Sequence, residues 1–216
     1  MQNLLKILIK MDWTSIYLKT STLNVFILGT GEVATRRANK FLDHGAHVKL
    51  AGNDLSDDLT DKGAQLCSTD DVDELVEWAD LVVVASGDER MSDHVSKISG
   101  DKLINRADYP LKGNVIVPTS FNIANIEISI FTNGKSPLMA RQLRKKIQSI
   151  ITEEDILEIE LQDYARSKLK GAVENQKERR KYLYEIFEDE KINEFIDNRQ
   201  IDEAKLYIYN LIRGLN

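Results

Sequence analysis

The stretch Leu23 to Arg37, LNVFILGTGEVATRR, limits what this chain can fold into more than any other. Four consecutive apolar residues, Val25 to Leu28, mark a strand buried on both faces. A glycine turn follows at Gly29 and Gly31, and the pattern then becomes that of an amphipathic helix running through Ala38 and Phe41 to Gly45. The turn spells G-x-G-x-x-A. Gly29 permits a tight reversal, Gly31 lets a pyrophosphate approach the backbone, and small Ala34 lets helix and strand pack closely. A dinucleotide phosphate then sits at the helix start, beside Glu32 and Val33, where unpaired N–H groups and the helix dipole favour an anion. Such a turn also occurs for steric reasons alone; the apolar run before it and the helix after it favour the cofactor reading.

From Leu23 to about Asn105 short apolar runs alternate with helical periods, the pattern of a parallel sheet covered by helices. Further strands are expected at His47 to Ala51, Ala64 to Cys67, Leu81 to Ala85 and Leu103 to Asn105. Helices are expected at Val33 to Gly45, Leu55 to Lys62, Val72 to Ala79 and Met91 to Ser99. The fold class is α/β, a Rossmann-like doubly wound parallel sheet, followed by a small β-containing segment and a C-terminal helical domain. The expected boundaries are 1–112 for the NAD-binding domain, 113–150 for the β-containing segment, and 151–216 for the helices.

Ligands of such sheets bind at the carboxyl ends of the strands, which points to the loops at Gly29, Gly52, Ser86 and Arg106. The second strand ends in Ala51-Gly52-Asn53-Asp54, so Asn53 or Asp54 is expected to hold the adenosine ribose. No arginine stands there for a 2′-phosphate, which favours NAD over NADP. Asp54 also reads as a helix N-cap preceding Asp57 and Asp58, and the two roles are compatible. Gly87 and Asp88, in the small-residue loop after the fourth strand, read either as a crossing point for the cofactor or as a turn that caps the next helix.

Composition narrows the partners. A formal charge of −6 argues against a general nucleic-acid binder. The single cysteine, Cys67, has no partner for a disulfide or a thiolate metal site, so a reducing, cytoplasmic compartment is expected. Lys6 and Lys10 interrupt the apolar N-terminus, and no stretch reaches the roughly 18 apolar residues of a membrane span. Met11 reads as an alternative start, with residues 1–10 a short extension and a first strand at Ser15 to Leu18. His44, His47 and His94 read as surface residues, and no metal ligand set is expected.

Beyond the sheet come Asn105-Arg106-Ala107-Asp108-Tyr109-Pro110, the run Asn114 to Pro118, and Ile126 to Thr132, whose alternation marks a half-buried strand. The turn Asn133 to Pro137 opens a helix from Leu138 to Ile147. After Ile151 the chain is helical by pattern. Ile156, Ile159 and Tyr164 mark one helix, Gly171 the expected break, and Leu183, Ile186 and Phe187 a second helix after the basic run Lys177 to Lys181. A last pair carries Ile192, Phe195 and Ile196, then Ile201 to Ile212.

The order G-x-G-x-x-A, N-x-x-D-x-P, a V-P strand and T-x-G-K-S-P-x-x-A-R-x-L-R resembles the N-terminal module of siroheme synthases and the stand-alone precorrin-2 dehydrogenases, over about Ile16 to Phe187. The resemblance implies NAD-dependent oxidation of precorrin-2 to sirohydrochlorin, with ferrous iron insertion in some members, and a homodimer, and it makes 113–150 the dimerisation and substrate-cleft segment. It places the catalytic aspartate of the N-x-x-D-x-P motif at Asp108, a carboxylate of the kind that takes up a proton as hydride leaves. A substrate rich in carboxylates asks for cations. Arg106, Lys135, Arg141 and Arg144, with the hydroxyls of Thr132 and Ser136, are the expected binding set. Arg141, Arg144 and Lys145 share one helical face. Thr132 stands where bifunctional relatives carry a serine, and Asn133-Gly134 where they carry two glycines. Two other readings stay open, another nicotinamide-dependent oxidoreductase and a non-catalytic NAD-binding regulatory module.

Overall fold

The structure, a computed structural model, describes residues 12–215. The expectations for residues 1–10 and for Met11 as a start lie outside the described residues. The chain divides into two compact units, Met1–Val117 and Pro118–Asn216.

The first unit is built on five parallel strands: β1 (Asn24–Leu28), β2 (His47–Ala51), β3 (Gln65–Cys67), β4 (Leu81–Val84) and β5 (Leu103–Arg106), in the order β3-β2-β1-β4-β5. Covering both faces removes water from both sides of the central strands, which is why β1 and β4 are almost wholly apolar. On one face α1 (Glu32–Leu42) presents Ala34, Ala38 and Phe41 to Val25, Ile27 and Val83. On the other, α3 (Val72–Trp78) and α4 (Glu89–Ile98) cover Phe26, Leu28, Val82 and Val84. A short α2 (Asp57–Asp61) packs Leu59 into the first face.

The second unit opens with an antiparallel pair, β6 (Thr119–Ile123) and β7 (Ile126–Ile130), and α5 (Pro137–Gln148). Four helices follow, α6 (Glu153–Ala172), α7 (Gln176–Phe187), α8 (Glu190–Asp197) and α9 (Ile201–Arg213). Their core joins Leu161, Ala165 and Leu169 of α6 to Ala204, Ile208 and Ile212 of α9, with Ile186, Ile192 and Ile196 alongside. Spacings of four residues put each set on one helix face, and alanines on both helices allow close approach.

Several expectations are corrected. Ser15 to Leu18 form no strand, because β2 and β4 already occupy both sides of β1. Asn114 to Pro118 form no strand either; Val115 and Val117 pack against the first core, and the strand β6 starts beyond Pro118. Proline has no N–H to give a ladder, so it stands before the strand rather than inside it. Gly171 does not break the helix: α6 runs through it to Ala172, and the interruption falls at Val173 to Asn175, where Asn175 caps α7. The buried face of α6 is Leu161, Ala165 and Leu169, while Ile159 is exposed.

Candidate functional site

The strand order reverses between β1 and β4, so the crevice for a ligand opens at their carboxyl ends. Gly29 ends β1 there. Its φ of +110° is a conformation side chains rarely adopt, and a Cβ would lie 2.5 Å from the carbonyl oxygen of Ala85 beyond β4. The fold itself therefore requires this glycine. Gly31 is different. It has an extended φ of −75°, it is the N-cap of α1, and a Cβ there would meet nothing within 4 Å. Gly87, across the crevice after β4, likewise has open space around it. Neither glycine answers a packing need in the chain. Both fit a ligand that passes close to the backbone.

No side chain caps the start of α1, so its first N–H groups point outward unfilled. Glu32 and Val33 begin this helix, and Glu32 is drawn back along it toward Arg36 at 3.4 Å. Asp88 caps α4 by accepting from the Met91 N–H at 3.0 Å, so the capping reading of this loop holds in the geometry. Asn53 and Asp54 stand exposed just past β2. Asp54 is not a helix N-cap, since Ser56 holds that position before α2; its carboxylate is left for another partner. An uncapped helix start, two glycines facing open space and exposed Asn53 and Asp54 fit a dinucleotide, with its pyrophosphate at Gly31 and its ribose at the end of β2.

At the end of β5 the side chains change from apolar to polar. Asn105 is 3% exposed; its Nδ2 donates to the Val115 carbonyl at 2.8 Å, while its buried Oδ1 has no partner. Arg106 is 1% exposed. Its Nε and Nη2 donate to Oδ1 and Oδ2 of Asp108 at 2.8 and 2.6 Å, and its Nη1 donates to Asp93 Oδ1 at 3.0 Å and Ser96 Oγ at 2.7 Å. Lys112, on the short 3-10 turn Pro110–Lys112, closes on both oxygens of Asp93 at 2.9 and 3.1 Å. Burial pushes the Asp108 carboxyl upward, but the hydrogen bonds and charge of Arg106 outweigh it and hold the group below the usual carboxylate range. Arg106 is thus not an open cation for substrate; it is spent on two aspartates and a serine. Only polar spacing N-R-A-D hinted at this, and strand alternation alone does not reveal a buried guanidinium.

The remaining expected residues belong to the second unit. Thr132 and Ser136 hold the turn together: Thr132 Oγ1 accepts from the Ser136 N–H at 3.3 Å, and Ser136 Oγ accepts from Met139 N–H as the cap of α5. Asn133 adopts φ +55° and Gly134 φ +72°, so asparagine supports the left-handed turn. Lys135, Arg141 and Arg144 are exposed, with the Arg144 guanidinium 5.3 Å from the ring centre of Phe121. Among the described residues no three His, Cys, Asp or Glu side chains group as metal ligands, and no helix is long and apolar enough to cross a membrane.

Fold and crevice define a nicotinamide-nucleotide-binding protein of the doubly wound class, and residues 16–119 match the family model described as putative NAD(P)-binding. The chain is 29% identical over 184 residues to the putative precorrin-2 dehydrogenase of Methanocaldococcus jannaschii, covering 79% of this chain and 87% of that protein. It is similar to the siroheme synthases and precorrin-2 dehydrogenases. The precorrin-2 dehydrogenase of Methanosarcina barkeri is 29% identical over 194 residues, covering 84% and 85%. The siroheme synthase of Mannheimia succiniciproducens is 25% identical over 205 residues, or 90% of this chain but 42% of that protein, so the chain spans less than half of such relatives. The solved structure of SirC, precorrin-2 dehydrogenase, shares the fold with a TM-score of 0.72 at 22% identity, covering 90% of this chain and all of that one.

Proposed function

We propose that the protein oxidises precorrin-2 to sirohydrochlorin with NAD. The observation that carries this is the pairing, on one sheet edge, of a dinucleotide crevice at Gly31 and Gly87 with an ionised carboxylate at Asp108. The bound nicotinamide supplies the hydride acceptor. The chain's share is to bind the cofactor at Gly29, Gly31, Glu32, Val33, Gly87 and Asp88, to take up the accompanying proton on Asp108, and to hold the substrate's carboxylates with cations. Lys135, Arg141 and Arg144 are the exposed cations for that task, with Thr132 and Ser136 shaping the turn that carries Lys135 and opens the helix that carries the two arginines. NAD over NADP follows from Asn53 and Asp54 past β2, where a 2′-phosphate would meet a carboxylate.

Two finer readings go with it. The protein pairs with a second copy through α5 and its hairpin, where Leu138, Met139 and Ile150 are exposed. Ferrous iron enters as a second substrate, as implied for some members of the family.

The test is an anaerobic assay with precorrin-2 and NAD, following NADH and the product's absorption, then adding ferrous iron. NAD-dependent sirohydrochlorin supports the dehydrogenase, and consumption of it with iron above the uncatalysed rate supports insertion. Cofactor binding without oxidation would favour a regulatory module instead. Light scattering of the purified chain checks the dimer, and comparison of kcat/KM with NADP checks the cofactor.

A further inference from the structure

Arg106 heads the fully buried side chains by size. A guanidinium withdrawn from water needs its donors matched, and here the matching partners define a direction. The planar fork meets both oxygens of Asp108 at once, at 2.8 and 2.6 Å, while the opposite corner is pinned by Asp93 and Ser96 of α4. Arg106 itself is on β5, inside the sheet. Asp108 stands one residue beyond the last sheet-bonded backbone group, the Ala107 N–H that donates to Val84. Backbone N–H groups of Tyr109 and of Asp108 itself also bond this carboxylate, and the fork is the side-chain part of what orients it. The fork takes one lone pair on each oxygen, and 26% of the side chain remains open.

We infer that Arg106 is the positioning residue of this site: seated on β5 and braced by α4, it fixes the direction in which Asp108 presents its carboxylate to substrate. This rests on Asp108 as the proton acceptor. The other charged groups facing the pair are Asp93 on α4 and Lys112 on the 3-10 turn, and they pair with each other at 2.9 Å. Lys112 first, and then Arg106, holds Asp93 below the usual carboxylate range, while Asp108 first holds Arg106 above its ordinary value. The brace also ties the Asp108 loop to the helix whose start, Asp88, belongs to the cofactor loop.

Two variants separate orientation from charge. Arg106→Met removes both, and Arg106→Lys keeps the charge but loses the fork. NMR of the cofactor-free protein reads Asp108 without any turnover. The expected result is a single side-chain rotamer in the wild type and rotamer averaging in Arg106→Lys. In Arg106→Met the carboxyl midpoint is expected to rise, because the hydrogen bonds and charge that hold it down are removed. In the assay, Arg106→Lys is expected to lower kcat about ten- to a hundredfold, with KM for NAD unchanged, and Arg106→Met to carry the acidic limb of the pH profile upward as well. An Asp108 rotamer unchanged in folded Arg106→Lys overturns the inference, whether or not Arg106→Met folds. A wild type that oxidises no tetrapyrrole overturns the dehydrogenase reading instead, and the rotamer measurement still decides the role of Arg106.

Discussion

Asp108 combines two demands that usually oppose each other. A proton acceptor must be available to substrate, yet the carboxylate is half of a bidentate pair whose other half is buried. The pair reconciles them by leaving about a quarter of the Asp108 side chain open, so that ionisation and orientation come chiefly from Arg106 and availability from the loop. Replacing Asp108 by asparagine keeps the size and removes the acceptor. We expect turnover to fall by about two orders of magnitude or more, with NAD binding by calorimetry unchanged; full turnover in that variant would remove Asp108 from the chemistry. The two crevice glycines divide by a similar logic. Gly31→Val is expected to fold normally and lose NAD affinity, because the new side chain occupies ligand space and no protein atom is within 4 Å of its Cβ. Gly29→Val is expected to lose the fold of the first unit, since its Cβ meets the Ala85 oxygen at 2.5 Å. Circular dichroism beside the binding measurement separates the two.

At the level of elements, the hairpin between β6 and β7 turns through Ala124 at φ +47°, in the left-handed region that disfavours a side chain. Ala124→Gly is expected to stabilise the chain by about 0.5 kcal/mol, the relief of strain exceeding the extra freedom of the unfolded glycine; a lower denaturation midpoint would contradict this. The same hairpin marks where sequence stops being informative. The five parallel strands were legible because each is a short apolar run bounded by turn residues, and strand and helix limits fall within a few residues of expectation. The segment Thr119–Ile123 carries only Phe121 as a buried apolar residue, so its period of two is invisible until β7 is placed beside it. The cofactor turn was legible for a local reason, since three small residues sit at fixed spacing. From sequence Arg106 reads as a substrate cation, because its partners Asp93 and Ser96 are 13 and 10 residues away and only the folded sheet brings α4 over the end of β5.

On the scale of the whole molecule, acid should act first through the charges at the sheet edge. Asp108 and Asp93 both titrate below their ordinary values in the folded state. Groups with depressed folded values contribute stability that is present above the unfolded carboxylate range and lost as pH falls through the folded value. The first unit is therefore expected to keep its full melting temperature near pH 6 and to lose it progressively below about pH 4. Trp13 and Trp78 are the chain's two tryptophans and both belong to that unit, so intrinsic fluorescence follows it alone. An Arg106→Met chain should show a smaller acid dependence, and an equal one would remove the ion network from the explanation. The unequal standing of the two crevice glycines reaches beyond a single molecule. Position 29 is held by the architecture, whereas no protein atom lies within 4 Å of a Cβ at position 31, so on the proposed cofactor reading a descendant that gave up its cofactor would keep the first glycine and be free to drift at the second. Across a lineage, that one site then serves as a record of when the nucleotide was last needed.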